Sequence, residues 1–210
     1  MHKIAVLLDG GYVLWELRDR THREATAAEI ESVARRCVNE HENLFRIYYY
    51  DCMPFGGSTR HPVTGDPIDF SEANTYKYRS ELYRSLAATD NFAFRKGQLK
   101  FRQWTLKNKE IKRILRNSLP VENWKFLPNL QQKGVDIKIG LDIAWLSTKK
   151  VVDRIILFTG DTDFIPAMKF ARREGTQVVI ASFSNNIKSE LKEHADGVRV
   201  VDISDLIAAS

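Results

Sequence analysis

The chain has 210 residues and a mass of 24.2 kDa, with 43% hydrophobic, 28% charged and 10% aromatic residues, which suits a folded globular domain and excludes a disordered or fibrous one. Its net charge of +5 is unevenly spread, because residues 76–125 hold 13 Lys and Arg against 4 Asp and Glu while the remainder holds 19 against 23. No apolar run approaches the roughly 18 residues of a membrane span, and residues 3–8 are cut short by Asp9-Gly10-Gly11, so a signal sequence and a membrane partner are not expected and a cytoplasmic location is. Cys37 and Cys52 lack the spacing of a disulfide scaffold or zinc site and are expected to pack in a reducing compartment.

Residues 3–8 predict a buried strand that turns into a helix at Asp9-Gly10-Gly11. Thr26-Ala27-Ala28-Glu29 fits a capping box, followed by a helix with Ile30, Val33, Ala34, Cys37 and Val38 on one face. Residues 44–51 are aromatic and β-branched, a second strand that also finishes on a carboxylate. This strand-helix-strand unit predicts a parallel sheet. Pro and Gly mark residues 53–70 as a long loop, residues 71–88 predict a helix, and residues 92–106 alternate around Lys96-Gly97 as a β-hairpin would. A helix is then expected over 134–147, a buried strand over 151–159, a helix over 162–174, a strand over 177–182, a short helix over 186–194, a strand over 198–201 and a terminal helix. The expectation is one α/β domain over residues 1–210, with a basic elaboration at 53–125.

Ligands of open α/β sheets bind beyond the carboxyl ends of the strands. Asp9, Asp161 and Asp163 fall at such ends, and Asp136 opens the helix after Lys133-Gly134. Each residue alone also reads as a helix cap or turn residue. Together, four converging carboxylates repel one another unless a cation neutralises them, and an all-oxygen set points to Mg²⁺ or Mn²⁺ rather than zinc. Such an ion suits phosphodiester hydrolysis. Asp142 lies six positions beyond Asp136, about 120° around the helix, and is expected to make a supporting or structural contact. Gly160 is expected to allow a tight turn.

Leu8-Asp9-Gly10-Gly11-Tyr12, Tyr48-Tyr49-Tyr50-Asp51, Gln132-Lys133-Gly134-Val135-Asp136 and Thr159-Gly160-Asp161-Thr162-Asp163-Phe164 together resemble the NYN domain family, which is PIN-like, and within it the bacterial LabA-like branch. The resemblance implies a PIN-like three-layer α/β/α fold with a mainly parallel central sheet and an Mg²⁺- or Mn²⁺-dependent ribonuclease site. Carried over residue by residue, the family's metal ligands fall on Asp9, Asp136, Asp161 and Asp163. Many relatives have Asn three residues after the first Asp, where this chain has Tyr12, so Tyr12 meets the substrate differently or not at all. Lys133 faces either the scissile phosphate or solvent, and Thr159 or Thr162 is expected to orient a ligand or phosphate by its hydroxyl.

Arg95, Lys96, Lys100, Arg102 and Lys107 are interleaved with Phe92, Phe94, Phe101 and Trp104, and residues 107–116 carry five basic side chains. The basic residues suit an RNA backbone. The aromatics fit unpaired bases, although a half-buried hairpin with its rings toward the core has the same pattern and is the favoured reading. The expected activity is a metal-dependent endoribonuclease. The alternatives are a catalytically weak or inactive RNA-binding regulatory protein, suggested by Tyr12, and a phosphatase, disfavoured because Gly11 stands where a second aspartate would be needed. The hairpin serves a homodimer contact as readily as an RNA contact.

Overall fold

The computed structural model describes residues 1–117 and 125–208, so residues 118–124 of the expected elaboration lie outside it. In chain order the elements are β1 (His2–Asp9), α1 (Gly10–Thr21), α2 (Ala27–Arg36), β2 (Glu42–Met53), β3 (Ser58–Arg60), β4 (Pro67–Asp69), α3 (Asn74–Ala88), β5 (Phe92–Leu106) and α4 (Asn108–Asn117). They continue with β6 (Phe126–Lys133), α5 (Val135–Thr148), β7 (Arg154–Phe158), α6 (Ile165–Arg173), β8 (Gln177–Ser182), α7 (Ser189–Glu193), β9 (Gly197–Val200) and α8 (Ser204–Ala208).

β1 is flanked on both edges, pairing in parallel with β2 and β7. This explains its unbroken apolar run, since Ile4 to Leu8 are wholly buried and a strand covered on both faces has no polar side to present. β8 and β9 extend the parallel pairing from β7, and the seven strands run in the order β6-β5-β2-β1-β7-β8-β9. Helices flank this mainly parallel sheet, the α/β/α arrangement expected from the sequence. The predicted capping box opens α2, with Thr26 and Glu29 bonding reciprocally.

The residues cluster into two compact units. One comprises Met1–Asp51, Leu82–Lys96 and Gly134–Ser210; the other comprises Cys52–Glu81 and Gly97–Lys133. The second unit thus takes in β6 and leaves Leu82–Lys96 to the first, unlike the contiguous elaboration expected at 53–125. It also contains the small β3–β4 pair in the stretch read as loop. Its rings form their own cluster, with Phe101 beside Phe55, Phe70 and Trp104, and His61 between Trp104 and Phe126.

One expectation is corrected. Residues 92–106 are not a hairpin turning at Lys96-Gly97 but one continuous strand, and the antiparallel partner of its second half is β6. Gly97 is buried within that strand, where its lack of a side chain served packing rather than a turn. A β-bulge at Arg102 interrupts the pairing, since Phe101 opposes Leu130 and Gln103 opposes Asn129.

Candidate functional site

Register brings the site together at the carboxyl ends of the central strands. Asp9 is opposite Tyr50 on β2, and Leu8 is opposite Phe158 on β7, so the residue following Phe158, Thr159, comes level with Asp9. The buried Thr159 hydroxyl donates to Asp9 Oδ2 at 3.2 Å and accepts from the Asp161 backbone N–H at 3.1 Å. One side chain therefore ties two of the four expected carboxylates together. Thr162 opens the turn that follows and is half-buried.

Each aspartate also has a local structural role. Asp9 caps α1, its Oδ1 accepting from the Tyr12 N–H at 3.3 Å. Asp161 caps the single 3₁₀ turn Thr162–Phe164, accepting from the Asp163 N–H at 3.0 Å. This turn replaces the first residues of the helix expected over 162–174, and α6 begins after it. Asp136 is in the first turn of α5 and is exposed, as is Asp163.

The carboxylates feel one another. Burial, reinforced by Asp136 and Asp51 and only partly offset by its hydrogen bonds, pushes Asp9 up to about 6. Asp136 is raised first by partial burial and then by Asp161 and Asp163. All four predicted acids thus lie within electrostatic reach as a connected set, and among the described residues none has an ion pair with Lys or Arg. The donor set is all oxygen, which fits a hard divalent cation. Among the described residues no three His, Cys, Asp or Glu side chains gather tightly enough to form a preformed metal cage.

Asp51 joins this set without having been singled out. It is 4% exposed, its Oδ2 accepts the Tyr83 hydroxyl at 2.6 Å, and its charge reaches Asp9. The only sequence signal was that the second strand also ends on a carboxylate.

Tyr12 reaches the site with its ring rather than its polar atom. The hydroxyl has Glu16 and Ser182 as hydrogen-bonding neighbours, and burial followed by the charge of Glu16 pushes it up to about 12. The ring lies against Gly160, where a Cβ would stand 2.6 Å from it. Gly160 is therefore required by this close approach, and the positive backbone angle expected of a tight glycine turn is absent.

The expected basic residues are dispersed. Arg95 is bound to Asp142 through two hydrogen bonds of 2.8 and 2.6 Å, and Asp142 also accepts from the buried Tyr50 hydroxyl at 2.8 Å. Lys96 stands over the Phe94 ring at 5.8 Å. In the second unit, Lys100, Arg102 and Lys133 are exposed on the β5–β6 ribbon, and Arg102 donates to Gln131 at 2.8 Å.

A model of the NYN domain matches residues 3–203. The chain belongs to the NYN domain family. NYN domains are generally nuclease-like. Over 76 residues the chain is 33% identical to the Low amplitude and bright protein LabA of Synechococcus elongatus, a stretch that is 36% of this chain and 39% of LabA. Over 78 residues it is 30% identical to the uncharacterized protein MJ0482 of Methanocaldococcus jannaschii, 37% of this chain and 32% of that protein. The matched stretch spans well under half the length of these curated relatives. A crystal structure of a Vibrio parahaemolyticus protein of unknown function, VPA0982, has the same fold with a TM-score of 0.53, 17% identity and coverage of 96% of this chain and 94% of that one. Among the described residues no helix is long and apolar enough to cross a membrane.

Proposed function

We propose that this NYN domain is an endoribonuclease that depends on Mg²⁺ or Mn²⁺. The observation that carries the reading is the carboxylate set at the strand ends, in which Thr159 bridges Asp9 and Asp161, Asp136 lies within their field, and no cationic side chain offsets the charge among the described residues. Such concentrated negative charge is costly unless a cation shares it. Asp9, Asp136, Asp161 and Asp163 would hold the ion, which when bound supplies charge neutralisation at the phosphate and a more acidic water.

The chain's own residues position this chemistry. Thr159 fixes the rotamers of Asp9 and Asp161, and the caps those aspartates make anchor them to the starts of α1 and of the turn before α6. Lys100 and Arg102 in the second unit, with the basic side chains of α4, supply cations for an RNA backbone. Arg95 is assigned to supporting Tyr50 and β2 through Asp142 instead.

Tyr12 supports a second reading. With its hydroxyl engaged by Glu16 and Ser182, no side-chain amide stands where many relatives place one, which favours a weakly active or inactive RNA-binding regulator. One experiment separates the two. Wild type and Asp161→Asn are compared on labelled single-stranded RNA and DNA in Mn²⁺, Mg²⁺ and EDTA. The nuclease reading expects metal-dependent RNA cleavage that falls at least about 100-fold in the variant; salt-sensitive RNA binding without cleavage transfers the assignment to the regulator.

A further inference from the structure

Helix α5 is apolar on nearly every side. Ile139, Ile143 and Leu146 are wholly buried, yet Ile137, Leu141 and Trp145 across the helix are 69%, 62% and 52% exposed. These three recur every fourth residue and so form one stripe along the helix. Beside them stand Gly140, where a Cβ would meet no atom within 4 Å, and the small Ala144. A groove of about 510 Å³ runs along the stripe, lined by Arg46, Ala93 and Arg95 as well as Leu141 and Trp145. A continuous row of large apolar side chains held in water on a rigid helix marks an interaction surface.

We infer that this face joins two copies of the chain, α5 against α5 in antiparallel alignment about a two-fold axis at Leu141. The helix is self-complementary in shape about that point. Ile137 and Trp145 lie four residues to either side of Leu141, so the axis sets Leu141 on its own counterpart and Ile137 on the partner's Trp145, as an isologous contact requires. The open backbone at Gly140 and the small Ala144 let the two helix axes approach closely.

The helix is also complementary in charge. Its first turn carries Asp136, with Asp161 and Asp163 as electrostatic neighbours, whereas Lys149 and Lys150 directly follow its last turn. Antiparallel alignment brings each acidic end toward the other copy's basic end, and parallel alignment would oppose like charges. Arg46 and Arg95 then form part of a polar rim around an apolar centre, the usual anatomy of an interface. This association does not depend on the nuclease reading, since it uses the outer face of α5 and no step of hydrolysis.

Sedimentation equilibrium over a dilution series tests the inference. Wild type is expected to approach twice its 24.2 kDa chain mass at the concentrated end. Leu141→Glu is expected to weaken association by about 30-fold or more, as removal of a central anchor does, while its circular dichroism and Tm remain those of an exposed-site variant. Leu141→Cys supplies an independent readout: a residue on the axis faces its own copy, so mild oxidation should link two chains through it. Wild type should not link, because Cys37 and Cys52 are buried. A wild-type chain that stays monomeric throughout, a dimer that Leu141→Glu leaves intact, or a Leu141→Cys chain that links no faster than wild type would each overturn the proposal.

Discussion

At the amino ends of β2 and β7, Glu42 is 7% exposed and held by Arg154 and by both guanidinium nitrogens of Arg199, at 2.7 and 2.6 Å from the latter, with the Asn39 N–H at 2.9 Å. At the carboxyl ends of β1 and β7, Asp9, Asp136, Asp161 and Asp163 have one another and a threonine, but no arginine or lysine in an ion pair among the described residues. Burial acts in the same direction on Glu42 and Asp9, yet the outcome is opposite. Hydrogen bonds from Arg199, Asn39 and Arg154 overcome desolvation and hold Glu42 down at about 2, whereas desolvation prevails at Asp9 and raises it to about 6. The difference teaches that a buried carboxylate stabilises a fold when its counter-charge is built into the chain, and strains it when that charge must come from outside.

The contrast is open to direct attack. Glu42→Ala leaves two largely buried guanidinium groups without their acid and should cost about 3 to 5 kcal/mol in denaturant unfolding. Asp9→Asn should do the reverse in EDTA near pH 8, adding about 1 to 2 kcal/mol because an ionised carboxylate is removed from a desolvated position. If Asp9→Asn destabilises instead, its capping bond to Tyr12 outweighs its charge and the contrast between the two ends weakens.

The pH dependence follows with opposite signs. Asp9 has its folded value near 6 against an ordinary 3.8, so its contribution to stability is full below about 3.8 and is lost as pH rises through 6. Glu42 has its folded value near 2 against 4.5, so its contribution is full above about 4.5 and is lost as pH falls through 2. Urea titrations in EDTA at several pH values, with Asp9→Asn and Glu42→Ala as the subtractions, should recover these two separate windows. A smaller effect is expected at Gly160→Ala, whose Cβ meets the Tyr12 ring at 2.6 Å. It should cost about 1 to 2 kcal/mol, since the ring has to turn aside, and Tyr12→Asn in the same chain should relieve most of that cost; a penalty that persists in the double variant would place the strain in the backbone.

Much of the central sheet and of the acidic cluster was legible along the chain. The covered strands advertise themselves by unbroken apolar runs, and a carboxylate directly after such a run lands at the ligand-binding edge. β6 was not legible, because its Pro128, Asn129, Gln131 and Gln132 have no strand-like alternation, and only the pairing offered by β5 makes it a strand. The hairpin reading of β5 failed because Lys96-Gly97 has turn-like composition, while burial of Gly97 inside a long strand is invisible in the local residues. Arg95 had the composition of a phosphate contact, but its partner Asp142 is 47 positions away. Tyr12 announced a departure from the family pattern without announcing where its hydroxyl would go.

By itself, then, the sequence determined which segments must be buried, which strand ends carry acids and where positive charge accumulates, since hydrophobic periodicity and local capping act over a few residues. Tertiary structure alone decided which charges find partners. Parallel register set Thr159 beside Asp9 and Arg154 and Arg199 around Glu42, and it turned Arg95 from the solvent toward Asp142. Electrostatic energies depend on separations of a few ångströms between residues far apart in the chain, and those separations exist only once the sheet has closed its register.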